Sequence, residues 1–133
     1  MSVENGPNGP SPLRLLLSHD ALVANWQWLA QRSGAAACGA AVKANGYGLG
    51  GVDVARRLQS AGCADFFVAT WAEAQAIAPA ISGAGLSVLH GPFAEDMPMA
   101  MTGIARPVIN SVVQAQRWRA AGGGPCDAMV DTG

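Results

Sequence analysis

Two rhythms of apolar residues run along this chain. Between Asp20 and Arg32 the large apolar side chains Leu22, Trp26 and Leu29 recur at helical spacing, with Ser18 placed to cap the first turn and Gly34 to stop the last. Beyond them come short apolar runs centred on Val42, Phe67, Val88, Val108 and Met129, separated by 25, 21, 20 and 21 residues. Phe66 to Ala69 and Pro107 to Ile109 are apolar without alternation, the pattern of parallel strands covered on both faces. Each intervening segment has room for one helix: Val52 to Ala61, Trp71 to Ala80, Ala94 to Met101 interrupted by Pro98, and Ser111 to Ala121 ending in three glycines. A further short strand is expected at Leu13 to Leu17, after a flexible tail over residues 1–12 rich in Pro, Gly and Asn. The alternation is βα throughout, which predicts an α/β fold with right-handed crossovers, either a barrel or an open doubly wound sheet. A leucine-rich solenoid is set aside because no Leu-x-x-Leu-x-Leu signature recurs.

Composition narrows the function classes. With 133 residues, 50% of them apolar and 13% charged, the chain is long enough for one deeply packed domain. A net charge of -1 without a local basic cluster offers no footprint for nucleic acid or an anionic membrane. The opening lacks the basic start and long apolar core of a signal peptide, so a cytoplasmic location is expected. Cys38, Cys63 and Cys126 have the spacing of neither a zinc site nor a disulfide framework, and they read as buried, reduced small hydrophobes.

The chemistry concentrates in AVKANGYGLG. Seven of the eight basic residues are arginine, and the single lysine, Lys43, lies four residues before the single tyrosine, Tyr47. A primary amine in a dry pocket can attack a carbonyl carbon and form a Schiff base, whereas guanidinium cannot. Gly46, Gly48 and Gly51 also spell the G-x-G-x-x-G of dinucleotide folds, with Glu73 lying 22 residues on as a possible ribose ligand. That reading buries Lys43 unpaired in the middle of a parallel strand, an expensive position. A strand that instead ends at Lys43 puts the amine at the carboxyl end of a barrel strand, where active sites of that architecture are built. Walker A is excluded, since no Gly-Lys-Ser/Thr follows the glycines.

AVKANGYGLG resembles the pyridoxal-phosphate attachment motif of the alanine racemases. The resemblance extends to RLLLSHDALVANWQWL, GCADFFVATWAEAQAI and the final VDTG, and so covers the chain from Leu13 onward. It implies a fold-type III (β/α)8 TIM-type barrel of which residues 13–133 form an incomplete N-terminal portion, about five parallel strands, with the remaining strands and a C-terminal β-domain absent. It further implies pyridoxal 5'-phosphate as cofactor, with Lys43 both its attachment point and a catalytic acid/base, and Tyr47 a contact to its phosphate. Alanine is the implied substrate, and the full-length family member a homodimer whose partner subunit supplies a second catalytic tyrosine. Tyr47 is the only tyrosine here, so racemase activity from these residues alone is not expected. The sequence departs from the family at Met129, where many members carry lysine, and at Gly46, where alanine is more usual.

Other residues read more plainly. His90 is taken as a hydrogen-bonded structural residue, His19 as part of a helix start, and Glu73 and Asp53 as acids at the positive ends of helices. Asp131 is divided equally between structural and functional roles. Two further function classes stay open: a non-catalytic pyridoxal-phosphate carrier, and a nicotinamide-binding Rossmann protein.

Overall fold

In the computed structural model, which describes residue 13 and residues 15–133, the five apolar runs become five parallel strands. They are β1 (Ala40–Ala41), β2 (Asp65–Val68), β3 (Gly85–Val88), β4 (Arg106–Ile109) and β5 (Asp127–Ala128). Their order in the sheet is their order in sequence. The connecting elements are α1 (His19–Arg32), the short turn α2 (Lys43–Tyr47), α3 (Gly51–Ser60), α4 (Trp71–Ile77) with a 3-10 turn at Ala78–Ala80, α5 (Met97–Ala100) and α6 (Val112–Ala120).

One face of the sheet makes the core. Val42, Phe66, Val68, Leu86, Val88 and Ile109 pack in a single cluster with Val54, Leu58, Trp71, Ala74, Ile77, Ala100 and Trp118 from the helices. Phe66 and Val68 are fully buried there, worth about 1.5–3 kcal/mol for each such side chain. Helices that follow four successive strands thus lie on the same face, and the strand order never reverses. A doubly wound sheet places helices on both faces and has a reversal where its ligand binds, so that alternative is excluded. The arrangement is an arc of a (β/α)8 barrel, its face away from the helices corresponding to the barrel interior.

That inner face is less apolar than the sequence suggests. Register pairs Ala41 with Phe67, Phe67 with Ser87 and Ser87 with Arg106, so these residues share a side. The Ser87 hydroxyl, 1% exposed, donates to Asp127 Oδ2 at 2.8 Å, and Arg106 Nε lies 3.8 Å from the same oxygen. Burial in β2 alternates, Asp65 and Phe67 being half-buried, because at this strand the side away from the helices is less covered than the helix-facing side.

Three expectations are corrected. The strand expected at Leu13 to Leu17 is not found among the described residues: residue 13 and residues 15–17 stand in no strand, β1 pairs with β2 alone, and Leu15 and Leu16 are 71% and 60% exposed. The helix expected from Ala94 to Met101 shrinks to Met97–Ala100, since Pro98 fits only the first turn and its ring would clash with a helical carbonyl four residues earlier. Cys63 is buried as expected, but Cys38 is half-buried and Cys126 exposed. The tail over residues 1–12 lies outside the described residues.

Candidate functional site

Lys43 stands where β1 gives way. Val42, 1% exposed, still donates its N–H to Phe67 O at 2.8 Å, and the chain then enters α2 in a left-handed conformation. Ala44, Asn45, Gly46 and Tyr47 have φ of 51, 53, 64 and 56°, followed by Gly48 at 86° and Gly50 at 92°. L-residues avoid this region by about 1–2 kcal/mol each, so consecutive left-handed residues need support. The turn's own bonds supply part of it: Gly46 N–H to Val42 O, Gly48 N–H to Ala44 O, and Gly50 N–H to Asn45 O, all within 3.0 Å. The Asn45 side chain adds another, accepting from Gly51 N–H at 2.8 Å and so capping α3. Lys43 is half-buried at one end of this turn, and Tyr47 is 62% exposed at the other.

Glu73 makes a contact that sequence reasoning did not foresee. It does sit in the first turn of α4, where it completes a capping box with Thr70. Its carboxylate also reaches across the strand ends: Oε1 accepts from Ala44 N–H at 2.7 Å, and Oε2 from Ala69 N–H at 2.7 Å and Thr70 N–H at 3.3 Å. Glu73 therefore ties the residue after Lys43 to the end of β2. Gln114 repeats part of the device two strands on. It lies three residues after the N-cap Ser111, is 5% exposed, accepts from Asn110 N–H at 2.8 Å and donates to His90 O at 3.1 Å. The legible signal for both was Ser/Thr-x-x-Glu/Gln, at Thr70 to Glu73 and Ser111 to Gln114.

The remaining candidates are not gathered around Lys43. His90 is exposed and rests on Phe93, ring centroids 4.4 Å apart. His19 and Arg57 both meet Asp53, at 3.3 and 2.9 Å, on the helix layer. Their groove between α1 and α3, lined by Val23, Gln27, Asp53, Arg56 and Arg57, contains none of the residues of the Lys43 turn. Asp131 is exposed and accepts from Gly133 N–H, and Met129, 49% exposed, extends the β5 pairing through its N–H to Ile109 O. Of the glycines in the dinucleotide-like pattern, Gly46 and Gly51 serve packing, since a Cβ on Gly46 would lie 3.1 Å from Gly51 Cα where the two backbones cross, while Gly48 has open space around it and serves the left-handed turn with φ 86°.

The comparison with known proteins agrees with this geometry. The family model for the alanine racemase N-terminal domain matches residues 17–133. An alanine racemase of Acidiphilium cryptum is 40% identical over 124 residues, which are 90% of this chain and 34% of that protein. The biosynthetic alanine racemase of Agrobacterium fabrum is 39% identical over 127 residues, 92% of this chain and 32% of the relative. The crystal structure of alanine racemase from Bartonella henselae with covalently bound pyridoxal phosphate matches with a TM-score of 0.74 at 33% identity, over 77% of this chain and 29% of that one. That from E. faecalis gives 0.66 at 28% identity, over 77% and 27%. The chain spans about a third of the length of the curated relatives it matches. A parallel β/α arc wound in sequence order, with a lysine at the end of its first strand, belongs to the alanine racemase family and corresponds to its N-terminal domain.

Proposed function

We infer that this chain is the cofactor-tethering part of a pyridoxal-phosphate-dependent racemase acting on alanine or a similarly small amino acid. The observation that carries the reading is the placement of the only lysine, half-buried, at the carboxyl end of β1 in a chain of this family. The residues present suit the group: an amine at a barrel-strand end is positioned to take an aldehyde, and a left-handed turn bonded on both sides holds it in place. Lys43 would hold pyridoxal phosphate covalently and Tyr47 would contact its phosphate. When bound, the cofactor supplies an electron sink for the charge left on the substrate α-carbon.

Lys43 has a second part in this reading. Freed from its tether, its amine takes or returns the proton at the α-carbon from one face. Inversion needs an acid/base on the opposite face as well, and Tyr47, the sole tyrosine, already belongs to the Lys43 turn. The 133 residues by themselves are therefore expected to tether the cofactor without turning over alanine. The full-length protein is expected to act as a homodimer in the cytosol, with no nucleic-acid or membrane partner.

Borohydride reduction in the presence of pyridoxal phosphate, followed by peptide mass mapping, tests the tether. A reduced adduct on Lys43 that disappears in Lys43→Arg is expected, and its absence from the parent chain refutes the reading. Exchange between L- and D-alanine in the full natural chain then separates a racemase from a carrier, which would be labelled without exchange.

A further inference from the structure

We propose that Glu73 is the positioning residue for Lys43, a role that rests on the assignment of Lys43 as the cofactor lysine. Three backbone donors converge on its two carboxylate oxygens, and one of them, Ala44 N–H at 2.7 Å, belongs to the residue directly after Lys43. The other two belong to Ala69 and Thr70 at the end of β2, so the carboxylate clamps the exits of two neighbouring strands together. Ala44 is the first left-handed residue of the turn and has no glycine's freedom to adopt φ 51°. Holding its N–H fixes the peptide that joins it to Lys43, and with it the direction in which Lys43 leaves the strand. A helix cap needs only the contacts to Thr70; the reach to Ala44, 29 residues away in sequence, does nothing for α4.

Glutamine at this position is nearly isosteric and cannot satisfy all three donors. Whichever way its amide is turned, an NH2 group faces either Ala44 N–H or the pair at Ala69 and Thr70. Thr70→Ala is the matched control: it removes the hydroxyl that accepts Glu73 N–H at 3.3 Å and weakens the α4 cap, but leaves the carboxylate on Ala44.

The test measures borohydride-trapped pyridoxal-phosphate labelling of Lys43 in the full natural chain, with amide hydrogen exchange at Ala44 and thermal melting followed on the same samples. Glu73→Gln is expected to slow labelling of Lys43 about tenfold and to speed Ala44 exchange by a similar factor. Thr70→Ala is expected to lower the melting temperature while labelling at the parent rate. Equal labelling of the parent and Glu73→Gln overturns the proposal and leaves the tether reading intact. Equal slowing by Thr70→Ala overturns it too, because the effect then belongs to the helix. A parent that takes no adduct at Lys43 refutes the tether reading, and the positioning role falls with it.

Discussion

Replacing Gly91 by alanine is expected to break the Gln114 latch at the mouth of the sheet. Gly91 follows the end of β3 with φ +77°, and its carbonyl accepts Trp71 Nε1–H at 2.9 Å. A Cβ there would lie 2.5 Å from Gln114 Oε1 and 2.7 Å from Val108 O. The left-handed backbone alone costs alanine about 1–2 kcal/mol. Relieving the contact means moving a buried side-chain oxygen that accepts Asn110 N–H at 2.8 Å, and leaving that donor unsatisfied costs about 1–3 kcal/mol more. The total is about 3 kcal/mol, which lowers a urea midpoint by about 1.5 M for a slope near 2 kcal/mol/M. Gly83→Ala isolates the backbone share, because Gly83 has φ +78° with nothing within 4 Å of its Cβ. Equilibrium urea unfolding of both variants gives the contact energy as their difference. Gln114→Ala added to Gly91→Ala is expected to recover little of the loss, since it leaves Asn110 N–H without its acceptor and Val108 O is backbone and stays in place. The reasoning is refuted if Gly91→Ala is no more destabilising than Gly83→Ala.

Three smaller predictions follow from the same contacts. Gly123→Ala drives a Cβ to 2.2 Å from Trp118 Cε2 and is expected to cost about 1–3 kcal/mol in urea unfolding, whereas Gly124→Ala, with open space around it, is expected to be neutral. Burial pushes the Cys63 thiol up, so alkylation at neutral pH followed by mass mapping should modify exposed Cys126 first and spare Cys63 until the chain unfolds. The hydrogen bond from Arg57 holds the Asp53 carboxyl below its ordinary range; a depressed folded value gives stability that is present above the unfolded aspartate value and lost as pH falls through the folded one. Because Asp53 is 45% exposed, Asp53→Asn should remove no more than about 0.5 kcal/mol, seen as a flatter acid limb in unfolding free energy against pH.

What could be read beforehand was what local pattern determines. Runs around Phe67, Val88 and Val108 became strands because their apolar residues fill one helix-covered face, and Ser18, Thr70 and Ser111 cap helices as their side chains allow. Leu13 to Leu17 carries an equally apolar signal, yet none of its described residues stands in a strand although β1 has a free edge, because a short apolar run does not encode whether a partner comes within reach. Glu73 was correctly placed in the first turn of a helix. Its reach to Ala44 was hidden because the approach of β1 to β2 is a tertiary fact, not a local one. Cys126 was misjudged for a similar reason: residue type predicts burial only on average, and this one lies beside β5, where little covers the chain.

The glycine pattern and the lysine, set against each other as rival signals in the sequence, form one feature in the fold. Ala44, Asn45 and Tyr47 together carry on the order of 3 kcal/mol of left-handed strain, which persists only where surrounding contacts over-determine the backbone. Those contacts are the Glu73 carboxylate on Ala44, the Asn45 side chain on Gly51, and the close crossing of Gly46 over Gly51. The crossing leaves little room for a side chain at either glycine, while Gly48 and Gly50 take left-handed values that other residues would adopt at a cost. A spacing that mimics a phosphate-binding loop is thus what a chain needs to leave β1 through a left-handed turn and start α3 within eight residues of Lys43. Among the described residues, left-handed strain in residues other than glycine is confined to this turn, directly after Lys43, the side chain proposed to tether the cofactor.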